Sequence, residues 1–361
     1  MNINNLKINI KYIILFIALV SLLSPRFSLL TTANAIDVKF SKVGTTSAQF
    51  LKIGVGRATG MGEAFSAIAD DASASYFNPA GLAQLNTREV FVNHINWISD
   101  VNHDYISAAL PMSNLGTLAL SVTAVTMGDM ERLWLDDPTS RTREDDSTGL
   151  YFSAMDMAFA ISFARQITDK LSFGLTTKLI TQSIWNMSAT GAAFDLGLLY
   201  HTGFKSLRLA ACVTNFGTSM SFSGLGLEFQ DTSYQTKPRA QYKTTPTPLP
   251  TTFRFGLAYN IIEMDDNVLT TAIDVIHPND INETIDFGLE YNFKKMFFLR
   301  AGYILNSDMK YSEAIKHTAG LSAGTGFIVN IAPTVKLRLD YCYRDMGWLK
   351  ASHRLGAIIG F

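Results

Sequence analysis

The chain has 361 residues, 17% of them charged, and a formal net charge of −1 at pH 7. That balance excludes a nucleic-acid or polyanion binder, which would carry a basic excess, and the low charged fraction is unlike an ordinary soluble surface. Two cysteines, Cys212 and Cys342, with no CxxC and no His/Cys cluster, exclude a disulfide framework and a zinc site, and no cofactor is expected.

Lys7 and Lys11 precede an apolar run over residues 12–23, and Ala33-Asn34-Ala35 supplies small residues for cleavage. This is the pattern of a secretory signal peptide over residues 1–35. The run is shorter than the about 20 residues a spanning helix needs. The mature chain is expected to begin near Ile36.

Residues 36–87 are rich in small residues and do not alternate. Gly54, Gly56, Gly60 and Gly62 are spaced GxGxxxGxG, which matches neither a dinucleotide fingerprint nor a GK[ST] loop. Asp70 and Asp71 suit a turn or helix start, and Pro79 bends the chain after Asn78. Such an irregular, compact segment is expected to pack in a barrel lumen, away from lipid, where its backbone polar groups find partners.

From residue 88 to 361, period-two alternation dominates. Met155, Met157, Phe159, Ile161 and Phe163 oppose Asp156, Ala158, Ala160, Ser162 and Ala164, and Val335, Leu337, Leu339, Tyr341 and Tyr343 oppose Lys336, Arg338, Asp340, Cys342 and Arg344. A soluble sandwich would crowd its second face with solvated charge. Here that face is Gly, Ala and Ser with an occasional charge, as in the interior of a membrane barrel. The pattern predicts an all-β fold: a transmembrane antiparallel barrel of about 14 strands, with the N-terminal segment as a hatch in its lumen.

The long joins, 128–149 and 217–250, both follow odd-numbered strands. That parity places both termini on the short-turn, periplasmic side of an outer membrane. Trp97, Tyr151, Trp185, Tyr200, Tyr259, Tyr303, Tyr343 and Trp348 fit interfacial girdles. The inward charges Lys178, Asp195, Arg254, Asp274, Asp286, Glu290, Arg300, Lys336, Arg338 and Asp340 are mixed in sign, so pairing with the hatch or with one another is their expected role. The last strand alternates His353, Leu355, Ala357, Ile359 and Phe361 on one face, and the terminal Phe361 is similar to the signal read by the barrel-assembly machinery.

The segment from Phe50 to Leu82 resembles the N-terminal signature of the PorV/PorQ family, a branch of the FadL-like outer-membrane transporters. The match runs through Arg57-Ala58, Gly60-Met61-Gly62, Ala64-Phe65, Ala69-Asp70-Asp71, Ala74, Tyr76 and Asn78-Pro79-Ala80-Gly81-Leu82-Ala83. Phe77 stands where Trp is usual, and one residue is missing between Gly56 and Arg57. The resemblance implies a fourteen-stranded barrel with a hatch holding the Asn78-Pro79-Ala80 turn.

The resemblance also implies two non-enzymatic functions. One is a type IX-like secretion barrel that holds exported cargo proteins and passes them to a surface sortase. The other is a passive channel for hydrophobic solutes such as fatty acids, with the apolar stretch 222–227 flooring an outer site. The long loop and the closer signature favour the first. No GxSxG-type nucleophile motif accompanies the six histidines, so no enzyme is expected.

Overall fold

A computed structural model describes residues 45–99, 101–133, 147–230, 239–306 and 320–361. The expected signal peptide at 1–35, the mature start at Ile36 and the acidic centre of the 128–149 join lie outside the described residues.

Fourteen antiparallel strands form one closed ring. They are β1 Glu89–Asn96, β2 Asn102–Pro111, β3 Thr117–Thr126, β4 Ala154–Thr168, β5 Leu171–Ile184, β6 Met187–His201 and β7 Arg208–Gly217. The second half is β8 Thr252–Glu263, β9 Asn267–Pro278, β10 Thr284–Phe293, β11 Phe297–Asn306, β12 Leu321–Ala332, β13 Val335–Asp345 and β14 Ala351–Gly360. Each strand pairs with its sequence neighbour, and β14 pairs back onto β1 from Glu89↔Gly360 to Asn96↔His353. Closure removes the free edge that no sheet can leave in hydrocarbon.

The pleat sorts the side chains as the alternation predicts. On β4, Met155, Phe159, Ile161 and Phe163 face outward, while Ala158, Ala160, Ser162 and Ala164 are buried. On β5 the outward Leu175 and Leu179 alternate with buried Thr176, Lys178 and Ile180. No described helix is long and apolar enough to cross a membrane; the crossing elements are strands. The long joins after β3, β7 and β11 all lie at one end of the ring, and the brief joins 169–170 and 333–334 lie at the other, with Phe361.

Two aromatic expectations fail. Trp97 is not a lipid-side girdle residue: it packs on the interior core, 5.6 Å beneath the Arg354 guanidinium, because the chain turns inward at the end of β1. Tyr151 belongs not to the barrel wall but to a ribbon, Met130–Leu133 with Ser147–Phe152, within the long join. Trp185 and Tyr200 are outward and exposed as expected.

Residues 45–85 lie inside the ring, contacted by strands on every side. Val55, Met61, Phe65, Phe77 and Leu82 of their core are each at most 1% exposed. Short 3₁₀ turns carry the chain, at Gln49–Lys52, Gly56–Met61 and Pro79–Gln84, with one helical turn at Ala74–Phe77. The wall makes room with glycines. A Cβ on Gly302 would lie 2.0 Å from the Gly62 nitrogen, and one on Gly174 would lie 2.2 Å from the Pro79 carbonyl carbon. Gly62 itself has φ +63, a left-handed conformation that ends the Gly56–Met61 turn.

Gly302→Val and Gly174→Val should each displace the inner segment at a cost of about 1–3 kcal/mol. The readouts are a lower thermal midpoint of the heat-modifiable barrel and faster proteolysis of residues 45–85. An unchanged midpoint together with unchanged proteolysis would contradict this packing.

Candidate functional site

The interface between the inner segment and the wall gathers most of the residues that the sequence singled out. Arg57 reaches three carboxylates at once: Asp70, Asp71 through Nε at 2.6 Å, and Glu290 on β10 at 3.3 Å. Glu290 also takes Arg300 Nε at 2.6 Å, and Arg300 NH1 lies 2.7 Å from Asp340 Oδ1. Arg338 completes the group, 2.9 Å from Asp340 and 3.7 Å from Asp71. Three guanidiniums thus share four carboxylates, with only Asp70 substantially exposed. Burial alone would raise the pKa of Asp71; the Arg57 and Arg338 guanidiniums outweigh it and hold that carboxyl below the usual aspartate range.

The remaining expected charges fall elsewhere. Lys178 on β5 pairs with Asp195 on β6 at 2.7 Å, and both are buried. Arg254 stacks 5.8 Å over Phe77, while Asp286 sits directly across from Asp274 on the neighbouring strand. Asp274 Oδ2 accepts hydrogen bonds from the backbone nitrogens of Phe65 and Ser66 and from the Ser66 hydroxyl. Lys336 stands exposed at the rim of a 340 Å³ cavity at the short-join end, which the Arg57 cluster floors.

The glycine-rich and Asn-Pro-Ala strings have local reasons. Asn78 caps the Pro79–Gln84 turn, its Oδ1 accepting from the Ala80 nitrogen at 3.1 Å, while Nδ2 donates to the carbonyls of Ser66 and Leu198. Pro79 occupies the first turn, where no N–H is needed, and any side chain at Gly81 would meet the Ala69 carbonyl oxygen at 2.1 Å. The Gly60 Cα packs on the Gly324 backbone, and the Gly62 nitrogen donates to the Ser322 hydroxyl. Met61 is fully buried, and both cysteines are free thiols, buried separately.

Several partners escaped the sequence reading. Glu63 pairs with Arg344, and Arg354 donates to the Gly54 carbonyl and to Thr59 Oγ1 at 2.6 Å. Both arginines share the small-residue phase of their strands, the signal that marked the other inward charges. At the long-join end, Asp280 in the β9–β10 join receives Lys52 Nζ at 2.7 Å, Gln49 Nε2 at 2.7 Å and Thr46 Oγ1 at 3.0 Å. Nothing in the sequence marks Asp280, which lies in a loop.

These links divide unevenly around the ring. Among the described residues, every ion pair from the inner segment goes to β10, β13, β14 or the β9–β10 join. Among the described residues, the hydrogen bonds that strands β2 to β7 make to it are neutral. Ser75 meets Tyr105 and Ser107, the Ala48 nitrogen donates to Gln182, Asn78 donates to the Leu198 carbonyl, and the Cys212 thiol donates to the Phe77 carbonyl.

On that neutral side lie a mouth cavity of about 370 Å³ and a small void of about 10 Å³ among Leu51, Tyr105, Ser121, Ala158 and Lys178. The void is close to the least that holds one water. A second mouth cavity, about 400 Å³, lies across Gln49 and Phe50, lined by Trp97, Val101 and Val125. The 222–227 stretch enters this picture in part: Phe222 lines the first mouth cavity, whereas Leu225 is exposed.

Arg57→Ala should leave buried Glu290 and Asp71 short of a partner and cost about 3–5 kcal/mol, read as a fall in thermal midpoint that Arg57→Lys partly restores. Arg338→Ala should loosen the same contact, and unchanged protease resistance of residues 45–85 would argue against it. Burial opposes the charge on Asp280, but the donors Lys52 and Gln49 outweigh it and its pKa is lowered. Its contribution is therefore complete above about pH 4, the unfolded value, and is lost as pH falls below that. Wild type and Asp280→Asn should differ in proteolysis near residue 50 at neutral pH and converge in acid.

Residues 27–131, which include the motif around Arg57 and Asn78, match the profile of an uncharacterised protein family, UPF0164. No curated protein sequence matches. Solved structures do. A monoaromatic hydrocarbon channel, CymD, superposes with a TM-score of 0.51 at 13% identity, covering 85% of this chain and 97% of its own. The toluene transporter TbuX of Ralstonia pickettii gives 0.50 at 12%, over 84% and 96%. The Pseudomonas putida toluene transporter TodX gives 0.51 at 13%, over the same shares. At this identity the likeness is one of fold: the chain is an outer-membrane-type β-barrel built like these hydrocarbon channels.

Proposed function

We propose that this barrel is a passive channel for hydrophobic solutes, seen with residues 45–85 closing it as a hatch. The observation that carries the reading is the unequal hold on the hatch. A solute-sized route is easiest to open where only neutral contacts must part. There, the mouth cavity and the small void are both lined by β4 and β5, at Asp156 and Gln182 for the one and at Ala158, Ala160 and Lys178 for the other. Breaking buried ion pairs on the opposite side would cost several kcal/mol each, so the hatch stays fixed to β9–β14 and yields on the neutral side. The fold likeness to hydrocarbon channels supports the same reading.

The secretion reading, with exported cargo and a surface sortase as partners, rests on the PorV/PorQ-like signature and the long 217–250 join, and takes second place. In the channel reading the short joins face the periplasm. The exposed ring of Phe361, whose main chain pairs with Arg88, serves barrel assembly, and outer-membrane lipid covers the apolar face.

The Ser75 and Ser107 hydroxyl oxygens lie 3.0 Å apart, so Ser75→Cys with Ser107→Cys can tether the hatch to β2. Uptake of labelled toluene would be measured in intact cells whose outer membrane otherwise resists it. The tether should abolish protein-dependent uptake and reduction should restore it. A tether on β8, beside the pinned side and away from β2 to β6, Ser66→Cys with Gly256→Cys, should leave uptake largely intact. Uptake no higher with the protein than without it would refute the channel.

A further inference from the structure

The mouth cavity on the neutral side has a chemistry of its own. It is bounded by Gln49 and Phe50 of the inner segment, by the outer ends of β4 and β5, and by the returning long join. Its apolar surface comes from Phe50, Met220 and Phe222. Apart from Ala48, the rest is hydroxyl and amide, with one ionisable side chain, Asp156, and among the described residues no lysine or arginine lines it.

Asp156 is only partly engaged. Among the described residues its donor is Gln182 Nε2, at 2.9 Å on Oδ2, and Gln182 is itself fixed because its Oε1 accepts from the Ala48 nitrogen. Asp156 lines the cavity, and among the described residues its Oδ1 takes no hydrogen bond. The threonine hydroxyls do not offset that charge, since Thr244 and Thr247 donate to the Phe222 and Met220 carbonyls of their own loop. The cations across Phe50 do not help either. Lys52 is bound to Asp280 and Arg344 to Glu63, and both line the other mouth cavity.

We infer that this cavity is a binding site for small amphiphiles with an apolar, ring-sized body and a hydrogen-bond-donating, non-anionic head, of which a phenol is the simplest, and that it rejects carboxylates. The head donates to Asp156 Oδ1, while the body covers Phe50, Met220 and Phe222. A carboxylate of the same shape brings a second negative charge against Asp156, and among the described residues no cation lines the cavity to compensate it. At hydrogen-bonding distance near a protein surface such repulsion is worth far more than thermal energy. The inference rests on the channel reading for its biological use, since it names which solutes the mouth admits, but the binding preference itself does not need flux.

The test uses the purified full-length mature protein in detergent, with 4-methylphenol and 4-methylbenzoate titrated at neutral pH and followed calorimetrically. The phenol should bind at least about ten-fold tighter than the benzoate. Asp156→Asn, which keeps size and a hydrogen-bonding head, should reduce that ratio to within about three-fold. Phe222→Ala should weaken phenol binding while leaving the ratio in place. Equal affinities in the wild type, tighter benzoate binding, or a ratio unmoved by Asp156→Asn would each overturn the assignment. Preference retained in a protein that, untethered, passes no toluene would sink the channel and leave the site. Toluene flux without any preference would do the reverse.

Discussion

A chain that crosses hydrocarbon must satisfy every backbone N–H and C=O from within itself, because no water is present to take them. Pairing β14 with β1 meets that demand for the wall and leaves no edge. The same demand governs the irregular segment inside. Its amides and carbonyls are taken up by side chains of the wall: Asp274 for Phe65 and Ser66, Asn93 for Gly56, Ser322 for Gly62, and Arg354 for Gly54. The inward face of the barrel is therefore polar and small-residued for one reason, which is to host a second, non-repetitive backbone.

Charge in the lumen follows from that arrangement. Desolvated ions persist only where opposite charges and hydrogen bonds surround them, and a carboxylate stripped of its arginine would be strongly destabilising. Arg57 occupies this position for the inner segment, since it joins Asp70 and Asp71 of its own segment to Glu290 of the wall. The ionic half of the ring thereby becomes an anchor, and the hydroxyl-and-alanine half becomes the weaker seam. In the first description of this lumen the charges looked like generic pairing partners; their concentration on β9–β14 is what turns them into a directional hold.

Function follows from asymmetry rather than from any single reactive group. The two mouth cavities differ in kind although they share Gln49 and Phe50. One sets paired cations beside Trp97 and two valines, and the other sets a lone carboxylate among hydroxyls. Both are reached from the long-join end, and below both lies the buried apolar core of the inner segment. A barrel of this kind discriminates at its entrance and resists leakage at its centre.

Much of this was legible in the sequence. Strict alternation over stretches such as residues 154–164 and 335–344 determined that the chain is all β, that its wall faces lipid, and that it has about fourteen strands, because a pleat puts successive side chains on opposite faces whatever the surroundings. The parity of long joins and the inward phase of Glu290, Arg300, Arg338 and Asp340 were equally local properties. The sequence could not decide which charges meet. Arg57 and Glu290 are 233 positions apart, and Lys52 finds Asp280 in a loop with no periodicity to announce it. Trp97 looked like a girdle residue until the turn after β1 carried it inward. Only the closed ring, by fixing which strands face which side of the inner segment, decided where the hold on it is ionic, where it is neutral and where a solute has room.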